Sequence, residues 1–557
     1  MAAPDLRTPD AIARAVDGAA DHYRQGRLDD ADRICTRVLK AAPDWFDALH
    51  LAGLVKLDSG KAAAAQALLA RALKLNPGSA PVLANLGRAL SALNRDDDAM
   101  ASLDQALAIA PDSFDAINSR GNVLLKLNRA AEAVAAFERV LALEPRFLGA
   151  RANLGNALTQ LGRFDDALAQ YDAILAAHPT HPETLVNRGS ALASAGRLEE
   201  ALAAYDGALA QRADYGKARI GRGATLAALN RHQEALAEYA TALAADKSNA
   251  DIQHNEALSL LTLGDYRRGF QKYEARWQRA GMPRRKSLGK PLWLGEYPLA
   301  RKTILVHAEQ GLGDVIQFAR YVPQLARGGA KVVMEVHREL AALLSRVEGV
   351  ASVVGRGEAL PAYDVHCPVG SLPLALHTEV STIPANVPYL AAIEERIANW
   401  SGRIGQLPSP RIALAWSGSA DHANDRNRSI ALERLAPLIA GQGSFVSIQR
   451  ELRQGDAAAL AGLPNVTHVG DALADFDDTA AVLALADLVI SVDTSVVHLA
   501  GAMGRPVWVL LPFQPDWRWL LDREDSPWYP TARLYRQPKP GDWESVIARV
   551  KDALLKL

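Results

Sequence analysis

Two short stretches carry residue types suited to group transfer. The first, EQGLGD (309–314), directly follows the apolar run TILVHA (303–308). Gly311 and Gly313 allow a tight turn and the close approach of an acceptor substrate. Asp314 then stands at the start of a helix, where a carboxylate either takes a proton from an attacking hydroxyl or caps the helix. The second, DTSVVH (493–498), ends the run DLVISVD (487–493). The hydroxyls of Thr494 and Ser495, with free backbone N–H groups at a helix start, make a phosphate site. His498, one turn in, is placed to hydrogen-bond a phosphate or a sugar hydroxyl. The alternative is that Asp493 or Thr494 caps the helix and His498 packs.

Four further clusters lie near strand ends. In AWSGSADHANDRNRSI (415–430), Trp416 and Ser417 close a strand, and Arg426 and Arg428 follow in a polar loop. An arginine there neutralises a diphosphate, unless the loop is simply solvated. Gln449 and Arg450 end SIQR (447–450). Asp475-Phe476-Asp477 is formally a D-x-D, a short and common pattern, and no metal site is expected. Trp517, Arg518 and Trp519 either stack on a base or sugar or pack an interface.

The elements that must position these residues alternate strand and helix. Strands are expected at 303–308, 331–337, 363–369, 411–418, 445–450, 487–493 and 507–512, with helical segments between. Such alternation implies parallel sheets. Two successive α/β units, joined near 385–410, suggest two Rossmann-like halves facing a cleft, with ligands at the carboxyl ends of the strands.

The first half of the chain has a different period. Pro43, Pro77, Pro111, Pro145 and Pro179 are 34 residues apart, as are Gly53, Gly87, Gly121, Gly155, Gly189 and Gly223, and Ala65 through Ala235. That is the tetratricopeptide (TPR) spacing: two helices per unit, small residues where they touch, and a proline after the second. Seven units start near residues 12, 46, 80, 114, 148, 182 and 216, with a degenerate eighth over 250–280. Asn85, Asn153 and Asn187 recur two residues before the repeat glycine, and Asn255 two before Ala257, which stands in the same register. On a concave face their amides suit the peptide groups of an extended acceptor chain. The other reading is a tolerated polar residue on a solvated face.

Composition bounds the rest. The chain has 557 residues, a formal net charge of −1 and two cysteines. No global field favours nucleic acid, and no cysteine framework is possible. Without a signal-like N-terminus or a long apolar stretch, the expectation is a cytoplasmic protein with no membrane span.

HAEQGLGDVIQFARYVPQL (307–325) resembles the N-terminal motif of the heptosyltransferase-like glycosyltransferases of family 9, and DTSVVHLAGAMGRPV (493–507) resembles their donor motif D-T-G-x-x-H-x-A-A-A-x-G-x-P. The resemblance covers about residues 303–550. It implies a GT-B fold, inverting and metal-independent transfer, Asp314 as the base, and Asp493, Thr494, Ser495 and His498 at the donor. The family's glycine after D-T is Ser495 here. Its phosphate-binding lysine has no clear match, and Arg426 or Arg428 is the substitute. The repeats resemble the TPR superhelix of O-GlcNAc transferases, which binds protein substrates through an asparagine ladder.

The expected organisation is therefore a TPR solenoid over 1–280, a linker over 281–302, an acceptor-side Rossmann-like domain over 303–400 and a donor-side one over 401–557. Donor contacts are expected from Trp416, Ser417, Arg426, Arg428, Gln449 and the 493–498 segment. Acceptor contacts are expected from Gly311, Gly313 and the four asparagines. The arrangement resembles bacterial flagellin-modifying TPR glycosyltransferases. It implies transfer of a sugar, for example a nonulosonic acid, from a CMP-, UDP- or ADP-linked donor to Ser/Thr of a protein held by the repeats, with no other cofactor. The alternatives are a lipopolysaccharide- or glycan-directed transferase and a non-catalytic scaffold.

Overall fold

A computed structural model describes residues 8–279, 288–309, 311–422, 424–441 and 443–557. Part of the expected 281–302 linker lies outside the described residues. The chain divides into two compact units, one up to Gly221 and one from Arg222.

The repeat period sets the helices. First helices of 13 residues begin at Phe46, Ala80, Phe114, Leu148, Pro182, Gly216 and Ala250. Each is followed by a second helix, as in Phe164–Ala177 after Leu148–Gln160. A first hairpin, Pro9–Arg24 and Leu28–Ala41, precedes them. The last second helix is short, Tyr266–Tyr273, and runs into a 3-10 turn, Glu274–Gln278. Between the two helices of every hairpin one residue is left-handed: Gly26, Gly60, Asn94, Asn128, Gly162, Gly196, Asn230 and Gly264, with φ from 58° to 83°. Only glycine and asparagine tolerate that conformation cheaply, so this is a further 34-residue signature.

Inside the six hairpins that carry it, the repeat glycine faces a large side chain 16 residues on. A Cβ at Gly155 would lie 2.6 Å from the Tyr171 ring, and one at Gly87 2.6 Å from Leu103. Ala65, Ala99, Ala133, Ala167, Ala201 and Ala235 are fully buried at the same contact.

The second unit adds two parallel sheets to the last hairpins. β1 (Thr303–His307), β2 (Lys331–Val336), β3 (Val350–Gly355) and β4 (Val365–Pro368) lie in the order β3-β2-β1-β4. β5 (Arg411–Ala415), β6 (Ser444–Ser447), β7 (Val466–His468), β8 (Leu488–Val492), β9 (Val507–Leu511) and β10 (Ala532–Arg536) lie in the order β10-β9-β8-β5-β6-β7. Strand order reverses between β5 and β8, which pair in parallel with Ile412 opposite Leu488. Such a switch point leaves a crevice at the strands' carboxyl ends. β3, β7 and β10 escaped the sequence reading. All three are edge strands, and β3 and β7 lack the continuous apolar run of a strand buried on both faces.

One apolar core runs through the unit. Leu261, Tyr266 and Phe270 of the last hairpin share it with Ile304 and Val332 of the first sheet and Val489 and Val507 of the second. The helix Glu394–Ile404 packs beside the helix Phe476–Leu485, where Arg396 pairs with Asp478 at 2.9 Å and the Trp400 indole donates to the same carboxylate at 3.1 Å. Arg346 pairs with the buried Asp477. No helix among the described residues is long and apolar enough to cross a membrane.

Candidate functional site

The carboxyl end of β1 is held from below. Both Glu309 oxygens accept from Arg276 at 2.8 Å, and Glu309 Oε1 also accepts the Gly370 N–H at 2.9 Å. The chain then turns at Gly311 into the helix Leu312–Phe318. Neither glycine here has an unusual φ; each is small because something lies close. A Cβ at Gly311 would be 2.8 Å from Asp314 Oδ2, and one at Gly313 would be 2.7 Å from His498 Cδ2. The helix carrying Asp314 is thus pressed against the helix Ser495–Ala502, which follows β8.

Asp314 does not cap its helix. Its Oδ1 accepts from Arg518 Nη2 at 2.7 Å, and the side chain keeps 39% of its exposure. Removal from water raises its pKa above the ordinary carboxylate value. Asp516 and Glu309 add to the rise, while Arg518 and Arg276 oppose it. A raised carboxyl pKa is suited to a general base.

At the β8 end, Thr494 occupies the N-cap position in extended conformation without a side-chain capping bond. Its hydroxyl meets Ser491 Oγ at 3.2 Å. His498 is buried, stacks on Trp519 with centroids 5.8 Å apart, and shares a 3.0 Å hydrogen bond between Nδ1 and Tyr529 OH. Burial, with Arg518 and Arg320 nearby, drives its pKa well below the usual histidine range, so the ring is neutral at pH 7. Asp493 goes the other way. Burial and then Asp516 push it up to about 6, against the pull of Trp519, Arg518 and Arg428.

The third side of the crevice comes from the ends of β5 and β6. Gln449 accepts the backbone N–H groups of Trp416 and Ser417 at 3.1 Å each, and donates to the carbonyls of Ser417 and Glu451. Its amide is committed to the backbone of the turn. Trp416 is fully buried, and its indole donates to Asp456 at 3.1 Å. Ser417 Oγ is buried with no hydrogen-bond partner among the described residues. Arg428 crosses to the β8 end and donates to the Asp493 carbonyl at 2.9 Å. It lies over Gly418, where a Cβ would collide with its guanidinium. Arg426, two residues earlier on the short helix Asp425–Arg428, is exposed.

The second unit therefore brings together Gly313, Asp314, Arg428, Asp493 and His498. The asparagines lie on the first helices of the hairpins, away from these strand ends in sequence. Asn85 Nδ2 lies 3.0 Å from His50 Nε2, and Asn153 Nδ2 donates to Asn118 at 3.2 Å, each partner coming from the preceding hairpin. Asn187 and Asn255 are half-buried on their first helices. In the D-x-D, the Asp475 side chain accepts from the Asp478 N–H and caps its helix. Trp517 packs on Tyr266 and Phe270. Sequence reasoning missed Asp516, Gln317, Tyr529 and the Arg276–Glu309 pair. Gln317, Tyr529 and the Arg276–Glu309 pair signal only through proximity in space, each meeting a partner on another element, while Asp516 meets Arg518 two residues on.

Family models match segments in both regions. The family described as Tetratricopeptide repeat matches residues 56–119 in one form and 118–182 and 186–250 in another. Glycosyltransferase family 9 (heptosyltransferase) matches residues 472–511, which include Asp493 to His498. Protein FlbA of Caulobacter vibrioides is 29% identical over 331 residues, 55% of each chain, so the match spans about half the length of that relative. A tetratricopeptide repeat protein from Parabacteroides merdae is 16% identical over 45% of this chain and 98% of its own, with a TM-score of 0.39. A thermophilic TPR protein from Thermus thermophilus is 26% identical over 32% and 98%, with a TM-score of 0.30. The chain carries tetratricopeptide repeats together with a segment similar to family 9 glycosyltransferases.

Proposed function

We propose that the second unit is a glycosyltransferase of GT-B type, its two sheets forming two Rossmann-like halves, and that it transfers a sugar from a nucleotide-sugar to Ser/Thr of a protein held by the repeats. The observation that carries this is the contact of Gly313 with His498. It sets a half-exposed carboxylate, Asp314, beside a helix start of the kind that holds phosphate. An acceptor hydroxyl loses its proton to Asp314 as it attacks the anomeric carbon, and the bond to the nucleotide breaks with inversion. Charge growing on the leaving phosphate is met by the N–H groups at Thr494–Ser495 and by Arg428, without a metal. Neutral His498 serves as a hydrogen-bonding wall. Gln449 and Trp416 shape the turn that carries Ser417 toward the donor.

The asparagine ladder supplies the acceptor-protein half of the reading, and the resemblance to flagellin-modifying enzymes makes a flagellin the first acceptor to try. The test is differential scanning fluorimetry of the full chain against CMP, UDP, GDP and ADP, followed by transfer from the sugar of whichever nucleotide binds. A ligand of the native state raises the melting point. One nucleotide should do so, and Asp314→Asn should keep that shift while lowering transfer about 10²–10⁴-fold. No shift with any nucleotide, or full turnover in the variant, overturns the reading.

A further inference from the structure

Arg518 is a buried cation held beside the site. It is 8% exposed. Nη2 donates to Asp314 Oδ1 at 2.7 Å, Nη1 donates to Asp516 Oδ1 at 2.9 Å, and Nε donates to the side chain of Gln317. The Arg518 N–H also reaches Asp516 Oδ1 at 3.0 Å. The guanidinium lies 4.4 Å from the centre of the Trp517 ring and 5.6 Å from that of Phe318. Partners at three edges and rings on its flanks fix a planar fork that an ammonium could not reproduce. Two of those partners, Asp314 and Gln317, lie on the helix after β1. Arg518 and Asp516 lie after β9. The fork therefore joins the ends of the two sheets through the carboxylate at the centre of the site.

Only one oxygen of Asp314 is engaged. Oδ1 takes the arginine, while Oδ2 has no hydrogen-bond partner among the described residues and lies over Gly311, the position where a Cβ would come within 2.8 Å of it. A glycine there keeps the space above Oδ2 open. We infer that Arg518 is a positioning residue: it turns Asp314 so that Oδ2 faces the acceptor hydroxyl, and it keeps that carboxylate ionised among its acidic neighbours. This rests on the reading of Asp314 as the base.

The charges around Asp314 give the inference a sign. Asp516 faces it from the turn after β9 and Glu309 from the end of β1; Arg276 stands behind Glu309, Tyr273 precedes it, and Asp493 lies at the end of β8. His498, on the facing helix, is neutral. Without Arg518 the surroundings of Asp314 are acidic, and its proton is held more tightly. Without Asp516 they are less acidic, and the proton is released more easily.

The experiment uses the full chain as Arg518→Met, Arg518→Lys and Asp516→Asn. Two readouts are taken: the pH profile of transfer, and a carbon-13 titration of the aspartate carboxyls, with Asp314 assigned from Asp314→Asn. Arg518→Met should cut kcat about ten-fold or more near neutral pH and move both the acid limb and the Asp314 titration to higher pH. Asp516→Asn should move them to lower pH. Arg518→Lys keeps the charge and loses the fork, so kcat should fall with the limb little moved. A purely structural arginine would lower activity at every pH with the Asp314 titration unchanged, and that result overturns the inference. Should Arg518→Met fail to fold, the shift in Asp516→Asn and the rate-without-limb change in Arg518→Lys decide it. The titration needs no turnover. A titration that shifts as stated in a protein that binds no nucleotide therefore fails the proposed function and not the placement of Arg518.

Discussion

The repeats and the crevice both use glycine to bring two elements into contact, but over different distances along the chain. For the 34-residue repeat glycines from Gly53 to Gly223 the partner is 16 residues on: Gly121 meets Phe137, Gly155 meets Tyr171, Gly189 meets Tyr205. In the crevice Gly313 meets His498, Gly501 meets Tyr529 and Gly370 meets Glu309. The first pattern is periodic because each hairpin solves the same local packing problem. The second is aperiodic because each contact serves one place. Ion pairs divide in the same way. Arg129–Glu132, Arg163–Asp166, Arg197–Glu200 and Arg231–Glu234 repeat along the solvated start of each second helix, with about half of each side chain exposed. Arg276 is 7% exposed and binds Glu309, Glu274 and Ser371 at once, joining the last hairpin to the strand end that carries Asp314.

The largest expected difference follows from those ion pairs. Arg276→Met leaves Glu309 and Glu274 buried without their cation, which costs about 3–5 kcal/mol for such a pair. The melting transition of the second unit should fall by several degrees, and transfer should fall with it because the 309–314 turn loses its anchor. Arg129→Ala removes a solvated pair and should leave the melting curve unresolvably changed. Equal effects in thermal scans of the two variants would break the distinction between the regions.

A smaller effect separates two glycines within the repeats. Gly155→Ala drives a Cβ to 2.6 Å from the Tyr171 ring. Overpacking of that kind costs about 1–3 kcal/mol, while alanine's better helix propensity returns about 1 kcal/mol. The net is a loss of up to about 2 kcal/mol. Gly18, inside the helix Pro9–Arg24, has nothing within 4 Å of the place its Cβ would take. Gly18→Ala should therefore stabilise, by about 0.5–1 kcal/mol. Denaturant titration of both variants checks the sign. A shared sign would mean that the 34-residue glycine does not owe its place to the ring opposite it.

These contrasts explain what could be read from residues alone. Helix starts at Phe46, Ala80 and Phe114 follow from the period, since every unit repeats the evidence. The strands buried on both faces, β1, β5, β8 and β9, stand out as apolar runs, whereas the edge strands β3, β7 and β10 do not. Asp314, Asp493 and His498 were visible because each sits within seven residues of a strand end in a short, unusual string. Asp516 and Gln317 were not, because what distinguishes them is Arg518 lying between them. Gln449 looked like a ligand contact from its position at a strand end. Only the geometry shows both ends of its amide holding the Trp416–Ser417 backbone.

The subtlest contrast concerns Asp493, a residue that weakens the fold around it. Its pKa rises from 3.8 to about 6 because burial and Asp516 disfavour its charge. Between those two values the folded state binds more protons than the unfolded chain, so this group's contribution to stability declines as pH rises from about 4 to 6 and stays lost above. Asp493→Asn removes the penalty. The variant should match the wild type near pH 4 and melt higher at pH 7.5, by a few degrees in a unit of this size. Its response to nucleotide should weaken at the same time, because the strand end that faces the helix N-terminus has changed. The exposed acids of the repeats predict the reverse. Glu132 and Glu200 have lowered pKa values, held by Arg129 and Arg197, and whatever they contribute grows as pH rises. Thermal scans of Asp493→Asn and the wild type at pH 4 and 7.5 test the sign at Asp493. If Asp493→Asn is destabilising at pH 7.5, Asp493 is a structural strand-end residue, and the cost assigned to holding its charge beside Asp516 is wrong.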